Sequence, residues 1–260
     1  VIAAPSLIGS GDRPSPERTE NGTKETIMAT AINDRLKDRY AALQAEREKS
    51  WSPAQLAGNA RQRRVLLERF DPAAVAQPGT LLPPLSFAEV DGDVLTLDDL
   101  TAKGDALSVF FRFAGCPACN IALPYYAATL APALKQRGIS FVALSPQPSH
   151  LLRDIKVRHD LPFLVATDAD NALARLLHID FQPDDRPVPP PSGWIGETIG
   201  TNSWILPQPA FLLVGAGRVV RWLHVSPDWL DRPEAETVLH QIDLINEPTN
   251  QRPAAAANRR

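Results

Sequence analysis

Residues 110–123 read Phe110-Phe111-Arg112-Phe113-Ala114-Gly115-Cys116-Pro117-Ala118-Cys119-Asn120-Ile121-Ala122-Leu123. The apolar run Leu107–Phe111 suits a buried strand, and the Ala114-Gly115 turn ends it. Cys116 then stands where a helix starts, with Pro117 in the first helical position, where the missing N–H of proline costs nothing. A helix from Pro117 to about Arg137 is expected, stopped by Gly138. A C-x-x-C pair at a strand-to-helix junction is a specific redox signal.

The chemistry follows from the thiol. An ordinary cysteine is only about 3% thiolate at pH 7, and the thiolate is the nucleophile. A helix N-terminus supplies roughly half a positive charge and unpaired N–H donors, which favour the anion at Cys116. Arg112 adds to this if its guanidinium reaches the sulfur. Cys119, one turn further on, is close enough to close a short, strained disulfide of the labile kind. Two other readings stay open. Half a zinc site would need two of His150, His159, His178, His224 and His240, none spaced for it. Two inert buried cysteines are the other. The Gly215-Ala216-Gly217 turn lacks the third glycine and following helix of a dinucleotide loop.

Outward from this junction, strands and helices alternate. Leu85–Val90 and Val94–Leu97 read as strands joined by an Asp91-Gly92-Asp93 turn. Ile139–Leu144 and Phe163–Ala166 read as strands, with helices over His150–His159 and Ala169–Leu177. Residues 181–203 form a Pro/Gly-rich insertion, Ala210–Val214 and Arg218–Val225 a hairpin, and Pro233–Ile245 a last helix. This alternation predicts an α/β fold, a mixed central sheet flanked by helices. Ahead of it lies a two-helix arm. Its first helix runs from Ala29 to Lys49, with an apolar stripe at Ile32, Leu36, Tyr40 and Leu43. Ser52-Pro53 starts the second, which runs to about Phe70. The arm docks either on the main domain or on a second subunit, the latter giving a homodimer through the N-terminal helices. The divisions are a leader (1–27), the arm (28–78), the main domain (79–245) and a frayed tail (246–260).

The chain has 260 residues, 44% apolar and 22% charged, as an ordinary soluble protein would be. A net charge of −3 argues against a nucleic-acid partner, and no apolar run is long enough for a membrane helix. Two cysteines are too few for a disulfide scaffold. The leader 1–27 is aperiodic and is not a signal peptide, so a cytoplasmic location is expected. Lys24-Glu25 can be encoded as a ribosome-binding sequence two codons upstream of Met28, so translation is expected to start there. Cofactor motifs are absent, so electrons arrive from a thiol donor. Arg153, Lys156, Arg158 and His159 read as a solvated basic face, and Trp194, Trp204 and Trp222 as core or loop anchors, with a substrate groove as the alternative.

From Asn33 to about Ile242 the chain resembles the peroxiredoxin-like proteins of the alkyl hydroperoxide reductase/thiol-specific antioxidant family. The resemblance rests on the helical arm, the aromatic-Arg before C-P-x-C-N, Ser145-Pro146-Gln147, Asn202–Phe211 and His224–Asp228. It implies a thioredoxin-like fold and a bacterial thiol-dependent peroxidase, an antioxidant oxidoreductase. Cys116 would be the peroxidatic cysteine, Cys119 its resolving partner and Arg112 the stabilising cation. Pro117, Trp204, Gln208 and Pro209 would border the substrate. Thioredoxin or a small dithiol would be the reductant, with no metal and no cofactor. The chain departs from the family at Phe113, where peroxiredoxins carry a threonine, and at Val109, where they carry a proline. Their second active-site arginine lacks a secure counterpart, since Gln208 stands before Pro209. Relatives often carry an aromatic where this chain has Gly115. Pro124 and Pro209 instead resemble the kink proline and the cis-proline of thioredoxins. The alternatives are therefore a thiol–disulfide oxidoreductase acting on a protein partner, and a non-enzymatic redox-sensing scaffold.

Overall fold

The computed structural model describes residues 35–247. The expectations for the leader, for residues 29–34 of the first arm helix and for the tail beyond 247 fall outside the described residues.

A seven-stranded mixed sheet runs in the order β2-β1-β5-β4-β3-β8-β9. Its strands are β1 (Ser86–Glu89), β2 (Val94–Thr96), β3 (Ala106–Phe110), β4 (Ser140–Ser145), β5 (Leu164–Thr167), β8 (Ala210–Gly215) and β9 (Val219–Val225). At the centre, β3 pairs in parallel with β4 (Val109 opposite Ala143) and antiparallel with β8 (Val109 opposite Phe211). Every residue of β3 is buried, Ser108 included, as its largely apolar run predicts. Alternation along the strand sends Leu107, Val109 and Phe111 into one core and Ala106 and Phe110 into the other. The first core is the one that contains both cysteines.

The arm is two helices, α1 (Leu36–Ser50) and α2 (Pro53–Arg69), the second opened by a Ser52/Gln55 capping box. It docks on its own main domain. Leu36 and Tyr40 are buried in the cysteine-bearing core, with Leu43 and Leu66 packed against it. A carboxylate fixes the start of α1: Glu234 accepts from the backbone N–H of Leu36 at 2.9 Å and of Lys37 at 3.1 Å. Among the described residues of the stripe, Leu36, Tyr40 and Leu43 are therefore used within one chain.

The remaining helices are α3 (Leu97–Thr101), α4 (Pro117–Thr129), α5 (Ala131–Gln136), α6 (Ser149–Arg158), α7 (Ala172–Leu176), α8 (Ile195–Thr198) and α9 (Ala235–Asn246). The single helix expected over 117–137 is thus interrupted at Leu130. Pro132 has no N–H to return to the preceding turn, although the backbone at Leu130 stays helical. Gly138 ends α5 with φ +68, the left-handed value that favours glycine. The 181–203 insertion is more ordered than its composition predicts: it contains α8 and is bracketed by a two-stranded pair, β6 (Asp180–Phe181) with β7 (Leu206–Pro207). No helix among the described residues is long and apolar enough to cross a membrane.

Truncating Leu36 to alanine should destabilise the chain by about 2–5 kcal/mol, the usual cost of emptying a leucine-sized core site. Urea unfolding measures this. An unchanged midpoint would mean that α1 is not packed as described.

Candidate active site

Cys116 is the N-cap of α4 and Pro117 its first residue, as expected, and the Cys116 side chain makes no capping bond. The turn ahead of it is held from below by β4 and the loop that follows. Ser145 Oγ donates to the Arg112 carbonyl at 3.1 Å, and Gln147 Oε1 accepts the Ala114 N–H at 2.8 Å. Asn120 closes the other side, its amide nitrogen donating to the carbonyls of Ala114 (2.7 Å) and Cys116 (2.9 Å). Its amide oxygen in turn accepts from Arg158 and meets His159 Nε2 at 2.8 Å. Two members of the basic face on α6 thus buttress the cysteine turn. The other two turn away, Lys156 to Glu89 and Asp91, and Arg153 to the Val90 carbonyl.

Both thiols are free and buried: Cys116 is 2% exposed and Cys119 is 0% exposed. They are the only sulfur atoms of residues 35–247, since the single methionine is Met28. Gly115 and Pro117, the neighbours of Cys116, are exposed, so its sulfur lies just under the surface. Cys119 lies deeper, against Arg232, whose Nη2 donates to Sγ at 3.4 Å. Arg232 is only 6% exposed and also donates through Nε to the Trp229 carbonyl at 3.1 Å. Arg112 lies over the Trp229 ring, 4.5 Å from its centroid, and its Nε is buried with no partner among the described residues.

Cys116 is hydrogen-bonded to its partner thiol. Its hydrogen bond with Cys119, then burial, then the charge on Cys119 push the Cys116 thiol well above the usual range. Burial also opposes ionisation of Cys119. The hydrogen bond from Cys116 and the Arg232 guanidinium overcome it and hold that thiol well below the usual range. The two thiols therefore titrate as a pair, and their acidity belongs to the pair rather than to either sulfur. The helix N-terminus and Arg112 act on Cys116, but the reserve of charge sits one turn deeper because Arg232 is there.

Arg232 was not legible as a site residue. It lies in the loop after β9, in a region with no periodicity, and the family pattern pointed to the position of Gln208. The backbone N–H of Gln208 donates to the Ile179 carbonyl at 2.8 Å, and its Oε1 is buried without a partner among the described residues. Pro209 enters β8 as expected, its carbonyl accepting from Ser226. Its peptide bond is trans, unlike the thioredoxin cis-proline it resembles; the cis bond among the described residues is Val188–Pro189. Trp204 pairs with Trp194, ring centroids 4.7 Å apart. It lines a cavity of about 290 Å³ between α2 and the insertion, with Val65, Leu66 and Phe181. That placement supports the loop-anchor reading.

The family model described as Redoxin matches residues 77–239, more than half of the chain. The chain belongs to the Redoxin family and has a thioredoxin-like fold. Solved peroxiredoxins share the fold. Peroxidoxin BcpB from Mycobacterium tuberculosis is 16% identical, with a TM-score of 0.51 over 66% of this chain and 99% of that one. Reduced Prx3 from Vibrio vulnificus, in complex with hydrogen peroxide, is 19% identical, with a TM-score of 0.52 over 64% of this chain and 99% of that one. A cysteine-to-serine mutant of PrxQ from Xylella fastidiosa is 14% identical, with a TM-score of 0.51 over 66% of this chain and 98% of that one. A comparison with the curated proteins finds no match to this chain.

Replacing Arg232 with methionine removes the cation but keeps an apolar stem. The initial rate of iodoacetamide alkylation at pH 7 should then fall about tenfold, the scale of one lost hydrogen bond to a charged group. The pH profile should move upward, because an anion that loses its cation needs less acid to protonate. An unmoved profile would remove Arg232 from the site.

Proposed function

We propose that the protein is a cytoplasmic thiol-dependent peroxidase that reduces hydroperoxides through Cys116 and Cys119. The observation that carries this reading is the pair of free, buried thiols at the start of α4, beside the exposed Gly115 and Pro117 and backed by a buried arginine. Cys116 is the shallower sulfur and the one a small substrate meets first. Passing the shared proton from Cys116 to Cys119 creates the attacking thiolate at Cys116. Its sulfur takes the outer oxygen of the peroxide as the O–O bond breaks, giving sulfenic acid, and the electron pair leaves on the other oxygen. That alkoxide or hydroxide takes the proton from Cys119, which becomes the thiolate that resolves the sulfenic acid. The S–S bond forms as hydroxide leaves and is protonated to water. Thioredoxin or a small dithiol returns the pair to the reduced state, and free thiols at this spacing suit a reducing compartment.

Burial favours peroxide over a protein disulfide. Two bonded oxygens reach a sulfur that is 2% exposed, beside the exposed Gly115, more readily than the disulfide of a folded substrate does. Arg112 lies in the turn between β3 and α4 and stabilises negative charge at Cys116. The departure at Phe113 removes the family's threonine hydroxyl, so the guanidinium groups carry peroxide orientation here.

Peroxide consumption with thioredoxin or dithiothreitol as reductant tests the proposal. The wild-type chain should turn over, and Cys116→Ser should be inert, because a serine hydroxyl stays neutral at pH 7. Cys119→Ser should react once and stop as a sulfenic acid. Its Cys116 thiol should also titrate lower than in the wild type, since the thiol partner and the charge that raise it are gone. Insulin reduction without peroxide consumption would replace this reading with disulfide exchange, and silence in both assays would leave the scaffold.

A further inference from the structure

Helix α1 approaches the cysteines in an orderly way. At its start, Glu234 holds the Leu36 N–H and also accepts from Tyr125 Oη at 2.6 Å, far along α4. One turn later Tyr40 Oη donates to the Ala118 carbonyl at 3.3 Å, in the first turn of α4. The two helices therefore run against each other, with α1 heading toward the α4 N-terminus. Two further turns place Arg47 on the same face of α1 as Tyr40. Continued in that direction, α1 carries Arg47 to the end of α4 that Cys116 caps.

Arg47 is unusual for a residue so near a helix end. It is 5% exposed, its guanidinium lies 4.7 Å from the Trp51 ring centroid, and its Nη1 has no partner among the described residues. Burial costs it most. Cys116 attracts it, Arg63 and Arg112 repel it, and Glu46 attracts it weakly. Arg63 is already satisfied by a two-point pair with Asp228 at 2.6 and 2.5 Å, and Glu46 is exposed. Arg112 Nε and Arg232 Nη1 are likewise buried and unpartnered among the described residues. Arg47, Arg112 and Arg232 thus each leave one buried nitrogen unused near the dithiol, among the described residues. A guanidinium is kept from water only where an anion compensates it.

We propose that Arg47 is the third cation of the thiol centre, supplied by the arm, and that it stabilises negative charge at Cys116 and on the peroxide oxygen departing from it. The inference rests on the peroxidase reading for the departing oxygen and stands apart from it for the sulfur. The active site is then composite: the turn after β3 contributes Arg112, the loop after β9 contributes Arg232, and the arm contributes Arg47. A site with this excess of positive charge selects anionic reagents over neutral ones of the same size.

The test compares iodoacetate with iodoacetamide on the full chain. The two share a leaving group and differ in charge. Arg47→Gln should lower the ratio of their alkylation rates about fivefold, the scale of one partly screened charge at this depth. Arg47→Lys should keep most of the ratio. A residue that merely packed would change both rates together and leave the ratio alone. An unchanged ratio in Arg47→Gln overturns the proposal, as does a ratio that Arg47→Lys loses equally. Circular dichroism confirms folding. If Arg47→Gln does not fold, Arg47→Met, which keeps the stem against Trp51, is read in its place. Peroxide consumption is followed in parallel: its absence in the wild type would sink the peroxidase reading, while the alkylation ratio still judges Arg47.

Discussion

A thiolate in an apolar core persists only where cations compensate its lost hydration. Cys119 lies in the same core as Phe111, Tyr126 and Phe211, with none of its surface in water. An unpaired anion there would take up a proton. The Arg232 guanidinium meets its sulfur directly, and much of the surrounding architecture serves to hold that guanidinium in place. The loop from Ser226 to Glu234 is tied down at both ends by the arm. Arg63 of α2 grips Asp228 through two hydrogen bonds, and the first turn of α1 grips Glu234. Tyr40 lies beneath the same arginine, 5.9 Å from its guanidinium carbon to the ring centroid.

This gives the arm a different standing from an appendage. Its apolar stripe buries Leu36 and Tyr40, which is ordinary helix docking, but its polar groups reach the chemistry. Loosening α1 would release Glu234, allow the loop to drift and withdraw cations from the sulfurs together. Packing and reactivity are therefore coupled in this fold through a few hydrogen bonds rather than through the sheet.

The sheet and the junction were legible because their physics is local. Leu107–Phe111 is buried on both faces and reads as an apolar run broken only by Ser108, while Pro117 and Gly138 mark the ends of the helical region by backbone chemistry alone. The C-x-x-C pair was legible for the same reason. Arg232 was not, because its importance comes from where a loop lands more than a hundred positions along the chain from Cys119. The helix N-terminus is a sequence-visible cation at Cys116, whereas the buried guanidinium against Cys119 is not visible in the sequence. The interruption at Leu130 came from Pro132, a residue visible in the sequence but outweighed there by a periodicity that continued past it. Trp204 carried a familiar motif, yet the motif fixes an insertion through Trp194 and β7.

The sulfur inventory of residues 35–247 bears on durability. With Met28 outside this region, no thioether lies within it to be converted into a polar sulfoxide that would swell a core. The gap-filling role that methionine often takes is filled by leucine, valine and phenylalanine. An oxidant that enters this body finds two sulfur atoms, adjacent to one another and each able to restore the other by forming a bond that a thiol donor reverses. Oxidation of its sulfur is thereby confined to the place where it can be undone.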